Sequence, residues 1–124
     1  MAATKLDGAG AQKMKTLEEA QMALTQIHSM VERMGVEVKS GASVGIYPNQ
    51  IKRLAATLQG QLKGQFGMIA DQFAGMILAA GRGGSEIVRL RTLREYVAQI
   101  RTAMDIAASK VKKDHAVEIV MADD

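Results

Sequence analysis

The chain has 124 residues, of which 48% are hydrophobic and 23% charged, with a mean hydropathy near zero at −0.01. This is the make-up of one globular domain rather than of a disordered segment. Cysteine is absent, which excludes disulfides, iron–sulfur ligation, thiolate zinc sites and a cysteine nucleophile. The formal charge of +3 is unevenly spread: Arg82 to Lys113 holds eight basic and three acidic residues, and Asp114 to Asp124 holds four acidic and no basic ones.

Residues 1–15 are rich in Ala and Gly, show no apolar period and place Lys5, Asp7, Lys13 and Lys15 among small residues. They read as a flexible tail and not as a secretory signal, so residues 16–124 are expected to form a single helical domain. A first helix is expected from Thr16, where Thr16 and Glu19 have capping-box spacing. Leu17, Ala20, Leu24, Ile27, Val31 and Met34 then recur in steps of three and four, and Gly35 is a natural stop.

Val36, Val38, Val44 and Ile46 alternate around Lys39–Ser43, which predicts a short β-hairpin over 36–47 or, equally in keeping with the pattern, a structured loop. A second helix is expected from Pro48, a residue suited to a first turn. Its stripe is Ile51, Ala55, Leu58, Leu62, Phe66, Ile69, Phe73, Met76 and Ala80. If unbroken it would be roughly 50 Å long. Gly60, Gly64, Gly67 and Gly75 lie inside it, each costing about 1 kcal/mol relative to Ala. Ala56, Gly60 and Gly64 share a face, which fits close approach of another helix, while Gly64 and Gly67 equally fit a break or a hinge.

Gly81-Arg82-Gly83-Gly84 ends that helix and Ser85 caps a third. The third helix carries a clean heptad seam of Leu90, Leu93, Val97, Ile100, Met104, Ala107 and Val111. Val117, Ile119 and Met121 alternate weakly beyond it, as a further strand or a frayed helix end. The sum is a mainly α fold: a long antiparallel hairpin of the second and third helices, a shorter N-terminal helix and a small β element. The apolar stripes appear too long for one chain to cover, so the bundle is expected to be completed by oligomerisation.

Chemistry-bearing constellations are sparse. His28 and His115 are isolated in sequence, without metal-ligand spacing, and no nucleophile, base and oxyanion donor come together. No catalytic residue, metal or cofactor is therefore expected. Asp71, inside an apolar run, reads as a position on the polar face. The run from Phe66 to Ala80 is shorter than the roughly 20 residues of a membrane span and nearly uncharged, which disfavours both a span and a membrane-surface role. Gly81–Ser85 has the flexibility of an anion loop but lacks the Lys-Ser or Lys-Thr of a phosphate loop.

The expectation is a non-enzymatic, cytoplasmic, self-associating structural or adaptor protein, a homo-oligomer with a protein partner. Its self-association face would be Leu90, Leu93, Val97, Ile100 and Met104 with Gly60 and Gly64. The alternative is a small basic nucleic-acid-associated protein using Arg82, Arg91, Arg94, Arg101 and Lys112. Scarce aromatics, and Glu95 and Asp105 placed four residues after Arg91 and Arg101, weigh against that alternative.

Overall fold

In the computed structural model, which describes residues 2–120, four helices form the body and two short strands join the chain's ends. Strand β1 (Ala2–Leu6) precedes α1 (Gly8–Ser40). Then follow α2 (Tyr47–Leu62), α3 (Gly67–Gly81), α4 (Glu86–Asp114) and β2 (Ala116–Val120). The fold is mainly helical with a two-stranded antiparallel sheet, as the periodicity predicts, but three element boundaries differ from the sequence reading.

The first difference is at the N-terminus. Residues 2–15, expected to read as a flexible tail, include β1 and the first two turns of α1. Asp7 is the N-cap, its carboxylate accepting from the Gly10 amide at 2.7 Å. The expected capping box at Thr16 does not form, because Thr16 already lies within the helix and its hydroxyl donates to the Gln12 carbonyl at 3.1 Å. Pairing with β2 holds the strand in register from Ala2 opposite Val120 to Leu6 opposite Ala116.

The second difference is at residues 36–47. Gly35 does not end α1; it lies under the Arg94 guanidinium, in space that a side chain would occupy. The helix continues to Ser40 and stops at Gly41, whose φ of 80° is the left-handed conformation that favours glycine. The Gly41 amide donates to Val38 and the Ala42 amide to Glu37, a double bond pattern that satisfies the last carbonyls. No hairpin is present there, and β2 pairs with β1 instead; Met121 lies outside the described residues.

The third difference is the break in the expected second helix. Residues 63–66 form a turn, with the Gln65 and Phe66 amides both donating to the Leu62 carbonyl. The cost of Gly64 and Gly67 is thereby moved from a helix interior to a corner, while Gly60 and Gly75 stay inside α2 and α3. Of the small-residue face, Gly60 and Gly64 have open space where a Cβ would go, so neither brings a helix of this chain close. The close approach lies at Gly75, against which the Tyr96 ring packs.

The long antiparallel pair is consequently α1 with α4, not the second and third predicted helices. Gly10 meets His115 at one end and Gly35 meets Arg94 and Leu90 at the other. The shorter α2 and α3 pack on each other and against this pair. At 1.5 Å per residue α1 is about 50 Å long and α2 about 24 Å, so the α2–α3 hairpin spans only part of the long pair. One core joins all four helices. It contains the first-helix stripe Leu17, Ala20, Leu24, Ile27, Val31 and Met34, and the stripe residues Ile51, Ala55, Leu58, Leu62, Ile69, Phe73, Met76 and Ala80. It also takes Leu90, Leu93, Val97, Ile100 and Met104. These five α4 residues, expected as a self-association face, are buried in the chain's own core once helix two folds back on itself.

Candidate functional site

The step where the α2–α3 hairpin stops short leaves a cleft of about 430 Å³. Phe66, Met68 and Ile69 from the start of α3 form one wall, and Ala103, Ile106, Ala107 and Val111 of α4 form the other. The heptad of α4 explains the second wall. Met104 and Val111 point into the core, and Ile106, outside the seam, is turned toward the flank occupied by α3. Met68 is 85% exposed and Ile106 65% exposed.

Gln65 and Gly67, with Lys13, Lys110, Asp114 and His115, complete the lining. Lys110 pairs with Asp114 at 3.3 Å, an i,i+4 contact on α4. Lys13 comes from the second turn of α1, in the segment expected to be a tail. Its Nζ lies 3.3 Å from His115 Nε2, while His115 Nδ1 lies 3.2 and 3.3 Å from the two Asp7 oxygens. An ammonium can only donate, so Nε2 accepts and the ring proton sits on Nδ1, donating to Asp7. The Asp7 amide also donates to the His115 carbonyl at 3.0 Å, where the two strands begin. The Gly10 amide, followed by the His115 ring, holds the Asp7 carboxyl below its ordinary value of 3.8 against a smaller opposing effect of burial.

Asp7, His115 and Lys13 thus form a hydrogen-bonded chain across 102 residues that fixes an ammonium at the mouth of an apolar cleft. Sequence reasoning missed it because His115 belongs to no ligand or base motif, and its partners Lys13 and Asp7 lie 102 and 108 residues away in the chain. The available signal was Asp7 followed by small residues, a helix start that the search for apolar periodicity passed over.

The other sequence-derived residues are dispersed. Arg91, Arg94, Arg101 and Lys112 are exposed and, by helical spacing, share the flank of α4 opposite the cleft. Arg94 is committed to Glu32 of α1 at 3.0 Å. Neither the Arg91–Glu95 nor the Arg101–Asp105 pair closes among the described residues. Arg82 stands alone in the α3–α4 turn, exposed. Gly60 and Gly64 are exposed on the α2 side. Asp71 is exposed, as the polar-face reading has it. A second hollow at the opposite end of the molecule contains Asn49, Lys52, Glu86 and Arg89, but Arg89 is already bonded to Glu86 and the Ala80 carbonyl.

Among the described residues no group of three His, Cys, Asp or Glu side chains is placed to hold a metal. No helix is long and apolar enough to cross a membrane. Comparisons with protein families, with curated proteins and with solved structures find no match to this chain.

Proposed function

We propose that this chain is a non-enzymatic binding module, an adaptor that takes an apolar group into the cleft between the start of α3 and the end of α4. The observation that carries the reading is the pair Met68 and Ile106, both exposed and both on the walls of one concavity. Fully burying such a side chain is worth about 1.5–3 kcal/mol, a gain that an apolar group in the cleft would bring. A cleft of this size, mostly apolar with a few polar groups at its edge, has the character of a ligand site.

The α4 seam through which self-association is expected is buried in the chain's own core. A second copy becomes one of the occupants the cleft can be tested for. At the mouth, the Lys13 amine is an ammonium donating to His115, an arrangement suited to holding a charge in place.

A neutral solvatochromic dye such as Nile red tests the reading. Its emission should rise with the wild-type protein and fall to background with Ala107→Trp, which fills the cleft from a half-buried wall position, and with Ile106→Asp. Both variants should keep helical circular dichroism. Dye binding that ignores both substitutions would overturn the assignment of the cleft.

A further inference from the structure

We infer that the occupant of the cleft is a small amphipathic carboxylate, a medium-chain alkanoic acid or an aromatic acid of similar size, with its apolar body between Met68 and Ile106 and its carboxylate at Lys13. The inference rests on the binding-module reading for the location of the site and adds the class of ligand.

The apolar half follows from the walls. Phe66, Met68, Ile69, Ala103, Ile106, Ala107 and Val111 offer no hydrogen-bonding side chain and the polar Gln65 beside them is exposed, so the part of a ligand between Met68 and Ile106 must be hydrocarbon. The volume, about 430 Å³, is in the lower part of the range for ligand pockets, which favours a short body over a long-chain lipid.

The anionic half follows from what surrounds Lys13. Its Nζ is held by His115 Nε2, and His115 is oriented in turn by Asp7, so the ammonium is positioned before any ligand arrives. Two of its three N–H groups remain for a ligand. Among the side chains described, which exclude Glu118, no carboxylate lies within ion-pair distance of Lys13, whereas Lys110 is matched by Asp114 and the Asp7 carboxylate accepts from the Gly10 amide and His115. A neutral ligand laid across the cleft would strip water from a half-buried ammonium without replacing it. A carboxylate replaces that water with a charge-assisted hydrogen bond. The start of α3 adds to this: Phe66 supplies no side-chain cap, so the first amides of Gly67–Ile69 and the positive end of the helix dipole are left at the same cleft.

Titration calorimetry of the full chain with octanoate, decanoate and decanol tests the inference. Decanoate should bind saturably at one site, at least tenfold more tightly than decanol. Each buried methylene is worth roughly fourfold in affinity, so decanoate, with two more of them, should bind about fifteenfold more tightly than octanoate. Lys13→Gln should bring decanoate down to the level of decanol, and Lys13→Arg should preserve the preference. Nile red displaced equally by decanol and decanoate would leave the binding module standing and overturn the carboxylate. A dimeric mass by light scattering, with neither dye nor decanoate taken up, would overturn it in favour of a second copy in the cleft.

Discussion

His115 and Gly10 occupy one space. The Cβ that any other residue would bring to position 10 overlaps the Cβ of His115 and reaches its ring and the Asp7 carboxylate. The absence of a side chain there lets the end of α4 close onto the start of α1, and the hydrogen bonds from His115 to Asp7 and from Lys13 to His115 depend on that closeness.

Gly10→Ala should therefore destabilise the protein despite Ala being the better helix former. Overpacking costs about 1–3 kcal/mol and helix propensity returns about 1 kcal/mol. The melting temperature should fall by a few degrees, and Lys13-dependent ligand affinity should fall with it. A thermal melt in which Gly10→Ala is more stable than wild type would show that the two helix ends do not close in this way.

Gly60→Ala is the converse case. Nothing lies within 4 Å of the added methyl, and the residue sits inside α2 on an exposed face. Propensity then acts alone, at about 1 kcal/mol, which for a domain of this size is a rise of roughly 3–5 °C in melting temperature. Solution mass should not change. A lower melting temperature, or loss of an assembled state, would mean that another helix packs on this face after all.

The two glycines show what was legible in the sequence. Apolar spacing identified nearly the whole core, because a residue recurring every three or four positions must share a buried face whatever the helix packs against. Ser85 as a cap and Pro48 in a first turn were equally local facts. The packing partners were not local. Gly64 and Gly67 fit a continuous helix with a close neighbour as well as they fit a break, and only the break turns α2 and α3 into a hairpin that covers the α4 seam from Leu90 to Met104. Asp7, Lys13 and His115 were invisible as a site for the same reason: their chemistry exists only once the two ends of the chain meet.

The Asp7 cap gives a pH dependence of definite sign. Its folded-state pKa is depressed, first by the Gly10 amide and then by His115. Such a group contributes stability above its unfolded value, near 3.8, and loses it as pH falls through the lower folded value. Asp7→Asn retains a capping side chain but has no charge to lose. Wild type should exceed the variant in stability from pH 5 to 7, and the difference should shrink steadily below about pH 4. Urea melts at pH 7, 4 and 2.5 would reveal it; a difference independent of pH would remove the charge from the account of this cap.

Two aspartate substitutions on α4 separate the core from the cleft. Val97 is 3% exposed and belongs to the seam, whereas Ile106, at 65%, lines the cleft nine residues further on. Val97→Asp buries a carboxylate with no partner, a cost of several kcal/mol against a total stability of about 5–15 kcal/mol for a domain, so the protein should be largely unfolded or melt tens of degrees lower. Ile106→Asp places its charge in water and should stay within about 0.5 kcal/mol of wild type. It should nonetheless lose Nile red and decanoate, because the charge stands on the wall that the hydrocarbon must cover. Melts and titrations on the pair therefore answer two questions at once. If Val97→Asp stays folded, the buried face of α4 has been assigned wrongly. If Ile106→Asp is stable and still binds, α4 is correctly oriented and the cleft beside Met68 is not where the ligand sits.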